Sequence, residues 1–438
     1  MNTRLYLSSA LTLILSAPAL PAISLDEAIA LAQAQNRKVR ISAEHIGQRE
    51  SELAAQKTRR YPVSNVMATA GVGVTKAEVT FPRGAFGVYD TVGPIPGDDL
   101  KLGIPRRLTG FSYSQVALPL TQQVRIGAAI GNAADDLAIA KLNRTRTEQE
   151  VTAQVRQLYF ALLSADAAQK AAEANLALAR EVERLAGQGV DAGTTLAADR
   201  GEASARRQRA EVAVSGVEAE RANLREQFNL LLGRPLEEPA DALLPAEPVV
   251  AFDAAEVRAR AVAERPEIES AHLRMHQAEL AVRAKKWEQV PDVSLVFQHF
   301  GFLNTGNLAP TNYAVAGLQV NWEPWDWGRK KKEARALEYQ VKAARIAREE
   351  TADAVRAQAG QALRAFEQSR KEVAAAEAAV AAARESVRVN RERYEQQAAL
   401  LRALLEAQTS FEAAQEQQVR AMSARGTAWA NLQLAMGQ

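Results

Sequence analysis

His272 and His276 are the residues whose type and spacing first suggest chemistry. Four apart on a helix, two imidazoles share a face and can hold zinc when further ligands join them. No third ligand is identifiable: His45 and His299 fall in other segments, and none of the 438 residues is cysteine. A metal site needs its full ligand set. The pair therefore reads first as solvent-facing, with zinc retention as an alternative. The missing thiols also exclude disulfides, thiolate metal sites and lipid attachment through an N-terminal cysteine. There is no phosphate-cradling glycine loop leading to lysine and no serine nucleophile turn. The expectation is a protein that is not an enzyme and uses no cofactor or metal.

Composition narrows the class. Net charge is +2 with acids and bases interleaved, which gives no electrostatic footprint for nucleic acid. The basic block that stands out is Arg329-Lys330-Lys331-Lys332. Aromatics are 5% against 47% hydrophobic residues, so the apolar content is mainly Ala, Leu and Val, suited to long, closely packed helices. Residues 1–22 read as a secretory signal: Arg4, an apolar run from Leu5 to Leu15, then Ala17-Pro18-Ala19 and Leu20-Pro21-Ala22. Cleavage after Ala19 or Ala22 fits the small-residue rule. A membrane anchor is the alternative, but the run is short of the ~20 residues a span requires. The remainder shows no helical span, so membrane residence would require a β-barrel.

The elements repeat. Tyr61-Pro62 recurs 229 residues later as Val290-Pro291, and in that register Glu27, Ala30 and Val39 meet Glu256, Ala259 and Ile268. Repeats of this kind complete a core by packing together. The first copy, 23–232, reads as helix from Ser24 to about Arg60 and a strand from Val66. A Gly/Pro-rich loop over 81–110 and a strand Phe111–Leu120 follow. A helix then runs from about Gly127 to Leu185, broken by Gly187, Gly189 and Gly193, and a last helix covers about 195–232. A proline-rich linker, 233–252, leads to the second copy, 253–438: helix 254–289, strands 292–303 and 313–322, helices 327–396 and 400–436. Between Pro119 and Pro324 the offset falls to 205, so the first strand–strand loop is longer by about 24 residues.

Both long helices carry heptad seams, Val151-Val155-Leu158-Leu162 onward and Val355-Ala359-Ala362-Phe366 onward, whose small residues allow close coiled-coil contact. At ~1.5 Å per residue each helix would be roughly 90–100 Å long. A pore-less periplasmic coiled-coil scaffold would explain the seams but not the strands. Those strands are about ten residues each, enough to cross a bilayer when tilted. Four are too few to close a barrel, and open edges in lipid would strand backbone groups, so chains must pool theirs. Tyr61, Trp287, Trp322, Trp325 and Trp327 fall where helix meets strand. Arg59, Arg60, Lys285, Lys286, Arg329 and Lys330 sit just beyond them, as interfacial anchors to outer-membrane lipids would. Phe81, Phe111, Tyr113, Phe300, Phe302 and Tyr313 at the other strand ends favour a second girdle.

This pattern resembles the outer-membrane efflux protein family, the TolC-type exit ducts. Its specific points are Glu323-Pro324-Trp325-Asp326-Trp327-Gly328, a turn from strand into long helix with Asp326 as N-cap, and Arg393-Tyr394 leading to Leu404-Leu405-Glu406-Ala407-Gln408. The resemblance implies a mainly α fold with β. Three chains would share a twelve-stranded barrel, continued by an α-helical periplasmic tunnel in the cell outer membrane. It further implies a homotrimer docked to a periplasmic adaptor and an inner-membrane pump, conducting substrates passively. By similarity, Tyr394 and Glu406 would form the periplasmic gate, although Ala403 and Gln397 depart from the family pattern. The tip turns, Gly187-Gln188-Gly189-Val190 and Gln397-Ala398, would meet the adaptor.

Overall fold

The computed structural model describes residues 23–75, 77–104, 108–193, 196–243, 252–304, 310–396 and 398–438. The signal-like segment and Gln397 lie outside them. Two compact units divide the chain. One combines the residues up to Glu44 with 142–268 and 350–438, and the other combines 45–141 with 269–349. The sequence copies run through both.

Eight helices are described: α1 Leu25–Gln35, α2 Arg37–Thr58, α3 Gln123–Asp191, α4 Ala197–Leu232, α5 Ala254–Glu264, α6 Pro266–Trp287, α7 Arg329–Glu395 and α8 Leu401–Ala435. The bounds of α5 and α6 are those of α1 and α2 advanced by 229. Local chemistry sets the starts. The Ser24 hydroxyl accepts from the Glu27 backbone N–H while the Glu27 carboxylate accepts from the Ser24 N–H at 2.9 Å, a reciprocal cap. Asp253 caps α5 by accepting from the Ala255 and Glu256 N–H groups.

The helices expected to be continuous over 24–60 and 254–289 are each broken once. Asn36 is extended at ψ 130°, its amide donating to the Leu231 carbonyl at 2.8 Å while its Oδ1 accepts from the Lys38 N–H. Arg265 is extended at ψ 125° because Pro266 follows, and proline disfavours helical backbone in the residue before it. Asparagine bonds the backbone locally in non-helical conformations, which makes it a natural stop.

In the helical unit, Ala28 and Ala32 of α1 and Val39 of α2 pack on Val151, Val155, Tyr159 and Leu162 of α3 and on Phe228 and Leu232 of α4. Val257 and Ala261 of α5 make the matching core with Val355, Ala359 and Leu363 of α7, Leu432 of α8 and Met436 at its C-cap. The heptad seam of α7 is its buried stripe: Val355, Ala359, Ser369, Val373, Ala376, Val380 and Val387 are all buried. Close approach leaves no room at Gly426 of α8, where a Cβ would fall on the Cβ and Cγ of Phe160 in α3.

The second unit carries the strands. β1 Val63–Val72, β6 Leu108–Pro119, β7 Asp292–Leu303 and β8 Asn312–Asn321 form one antiparallel sheet in the order β1-β6-β7-β8. The stretch 81–110, expected as loop, is partly ordered into pairs. β2 Ala77–Phe81 pairs β5 Leu100–Ile104, and β3 Val88–Tyr89 pairs β4 Gly93–Pro94. Pro82, Gly84 and Gly87 lie between β2 and β3 and Pro96 and Gly97 between β4 and β5, while Gly93 and Pro94 themselves pair as β4. Ends of strands and helices in this unit are laced together. Thr121 donates to the Pro291 carbonyl and accepts from the Val293 N–H, and Arg125 pairs with Asp292.

Candidate functional site

The sheet has two chemically different faces. Register places Val66, Ala68 and Ala70 of β1, Val116 and Leu118 of β6, Leu295 and Phe297 of β7 and Leu318 and Val320 of β8 on one side, together with Ser64, Ser112, Ser114 and His299. The other side carries Asn65, Gln115, Gln298 and Gln319. Gln115 donates to Gln319 Oε1 at 3.2 Å, from β6 to β8 over the intervening β7, and Val296 beneath is buried, 7% exposed. Side chains on the polar face converge, whereas Leu295 and Phe297 stand exposed on the aliphatic face. β1 is exposed at all ten positions and β8 at nine of ten, and each has one strand partner.

The aromatics expected as a girdle at the far strand ends do not share the face of Leu295 and Phe297. Phe111, Tyr113, Phe300, Phe302 and Tyr313 share the glutamine face, because Tyr113 pairs Phe300 and Phe300 pairs Tyr313. Phe81 lies in the hairpin and packs on Phe86 at 5.3 Å. Alternation decides this. A strand's odd and even residues point to opposite sides, and counting aromatics at strand ends ignores that parity.

At the helix–strand junction, Tyr61, Trp287, Trp322, Trp325 and Trp327 are all exposed, Trp327 to 88%. Trp327 has φ 55°, followed by Gly328 at 77°. For tryptophan this left-handed backbone costs of order 1–3 kcal/mol. Asp326 holds the turn: its carboxylate accepts from the Gly328 and Lys330 N–H groups, each at 2.9 Å. It acts from two residues ahead of the cap position. The Lys330 backbone bond, above all, holds its pKa below the usual aspartate range. The cations are less free than the sequence implied. Arg329 and Lys330 both pair with Glu323, Lys285 with Glu288 and Glu333, and Lys286 with Glu338 at 2.6 Å. Among the described residues Arg59, Arg60, Lys331 and Lys332 make no ion pair.

In the helical unit, α3 passes through Gly187, Gln188, Gly189 and Val190 and ends at Asp191. The expected breaks at Gly187 and Gly189 are therefore absent, since one glycine costs a helix only ~1 kcal/mol. Gly193, at φ 73°, makes the turn. At the other tip Ala398 donates its N–H to the Arg393 carbonyl at 2.8 Å and is exposed. Tyr394 packs against a cluster of Val182, Ala186, Ala203, Leu401, Leu404 and Leu405. Glu406 is exposed and accepts from Arg402 on its own helix at 2.8 Å. Sequence reasoning missed Leu196 and Leu400, which start α4 and α8 as caps with no side-chain bond and are 72% and 78% exposed. Their shared spacing to Glu202-Ala203 and Glu406-Ala407 was the available signal.

His276 Nδ1 lies 2.7 Å from Asp135 Oδ2, and His272 lies 3.9 Å from Glu269 on its own helix. The helical pair is thus divided between two carboxylates. No group of three or more His, Cys, Asp or Glu able to hold a metal occurs among the described residues. No described helix is long and apolar enough to cross a membrane.

Long paired helices with an antiparallel sheet of bilayer-length strands define the architecture of outer-membrane channels, and comparison with known proteins agrees. Residues 257–438 match the family model for outer membrane efflux protein, a span that includes both motifs of the sequence resemblance. No curated protein matches the chain. Among solved structures, CusC, from work on conformational changes accompanying folding and transmembrane channel formation, is 15% identical with a TM-score of 0.78. That likeness covers 94% of this chain and 92% of CusC. The outer membrane protein VceC of Vibrio cholerae is 15% identical with a TM-score of 0.75, covering 94% and 96%. The open outer membrane channel MtrE of Neisseria gonorrhoeae is 19% identical with a TM-score of 0.73, covering 94% and 88%. The chain has the fold of these outer-membrane channels, which are conduits rather than enzymes.

Proposed function

We propose that this chain is the outer-membrane exit duct of a tripartite efflux or type I secretion machine, working as a homotrimer. Each subunit contributes β1, β6, β7 and β8 to a twelve-stranded barrel, with the aliphatic face toward lipid and the glutamine face toward water. The helices continue the duct into the periplasm. It conducts passively, and the energy comes from an inner-membrane pump joined through a periplasmic adaptor. Copies 23–232 and 253–438, joined by the linker 233–252, supply quasi-equivalent parts of one wall.

The observation that carries the reading is the pair of open sheet edges. Twenty edge residues, nineteen of them exposed, present backbone groups that lipid cannot satisfy, and pairing β8 of one subunit with β1 of the next removes both edges. A pore-less scaffold leaves them unpaired. The end of α3 at Gln188 with the leucine-tipped turn that follows it, and the turn at Ala398, are the proposed adaptor contacts, and Tyr394 with Glu406 the proposed gate. Detergent-purified full chain should run as a heat-modifiable trimer and form discrete channels in planar bilayers. A soluble monomer without conductance would refute the duct.

A further inference from the structure

We propose that Phe111, Tyr113, Phe300, Phe302 and Tyr313 form an aromatic contact site on the barrel's inner wall that holds planar aromatic cations in transit. The inference rests on the closed-barrel reading above. The rings form one cluster, with Phe300 at its centre: 5.1 Å from Tyr113, 6.0 Å from Tyr313 and 6.4 Å from Phe111. Phe302 extends it at 5.5 Å from Phe111. All lie toward the strand ends remote from the helices.

Two facts aim the cluster inward. It shares its face with Gln115, Gln298 and Gln319, whose amides would go unsatisfied against acyl chains, while the opposite face is aliphatic toward the helices, with Leu118, Leu295, Phe297 and Leu318, and carries Ser112, Ser114 and His299 behind the rings. The Gln115–Gln319 bond across β7 also shows that side chains converge on that face. The Tyr113 hydroxyl donates to Gln115 Oε1 at 2.9 Å, so its polar end is engaged.

The chemistry of the wall selects the ligand. Among the described strand residues the charged one on this face is Asp292, at the helix end and paired with Arg125. Ring faces carry negative quadrupole density: planar aromatics stack on them and cations are drawn to them. A solute that is both gains twice.

The test uses the full-chain trimer in planar bilayers, with ethidium as the planar aromatic cation and tetramethylammonium as a non-aromatic control. Ethidium should reduce the wild-type current. Phe300→Leu with Phe302→Leu should conduct normally while raising the half-blocking concentration about two- to tenfold, the loss expected for removed π contacts. Tyr313→Leu, at an exposed edge position, should shift it the same way, and tetramethylammonium, which keeps the cation–π attraction but cannot stack, should be shifted less than ethidium. Equal ethidium block in wild type and variants would overturn the site while leaving the pore intact. Absence of any channel would instead overturn the barrel reading, and the site with it.

Discussion

Replacing the tip leucines should separate stability from docking by sign. Leu196 and Leu400 occupy N-cap positions that leucine fills poorly, and neither makes a side-chain cap bond. Leu196→Ser and Leu400→Asp each introduce an oxygen that can accept from the first turn, worth about 0.5–2 kcal/mol per cap. Asp199 already accepts from the Leu196 N–H, so serine is preferred there to a second acid. Neither change removes core packing, since the side chains are 72% and 78% exposed. The helical unit should therefore melt at the same temperature or higher. Docking should move the other way. Fully burying a leucine is worth about 1.5–3 kcal/mol, so the exposed fractions leave about 1–2 kcal/mol for a partner to gain at each tip. Losing both corresponds to about 30- to 700-fold weaker adaptor binding per subunit. Thermal unfolding by circular dichroism reads the first effect. The second is read by capture of the periplasmic adaptor through a photocrosslinker at Gln188. Unchanged capture with the trimer intact would show that the leucines are not the docking surface. A lower melting temperature would refute the capping argument.

Glu406→Ala should leave Arg402 unpaired and turn a neutral Glu–Arg ring positive, shifting channel selectivity toward anions and weakening block by multivalent cations. Unchanged selectivity and block remove Glu406 from the gate. Gly426→Ala should destabilise the helical unit by about 1–3 kcal/mol through overpacking against Phe160. A thermal melt reads the loss, and an unchanged melting temperature would contradict the tight contact. Asp326→Asn should lower stability most at neutral pH. Because the folded pKa is depressed, the carboxylate's contribution is fully present above the unfolded aspartate value, ~3.9, and disappears as pH falls through the folded one. Melting temperatures of variant and wild type should therefore converge in acid, and a gap independent of pH would contradict the assignment.

The order of elements was legible from one chain because its signals are local. Prolines at 62 and 291 stop helices, period-two alternation marks β7 and β8, and the four-three spacing of small residues in α7 is its buried stripe. The turn at Asp326 likewise announces itself through residue types that bond their own backbone. Tertiary structure decided what depends on parity and partners. It set which side of the sheet holds Phe300, and whether Lys285 and Lys330 remain free or meet Glu333 and Glu323. It carried α3 past two glycines that packing tolerates and ended α1 at Asn36, whose amide reaches the Leu231 carbonyl of α4. Sequence periodicity specifies the conformation of an element and the stripe it buries. A side chain's partner and the direction it faces depend on what the folded chain brings within bonding distance: Lys285 meets Glu333, 48 positions on, and Asn36 meets Leu231, 195 positions on.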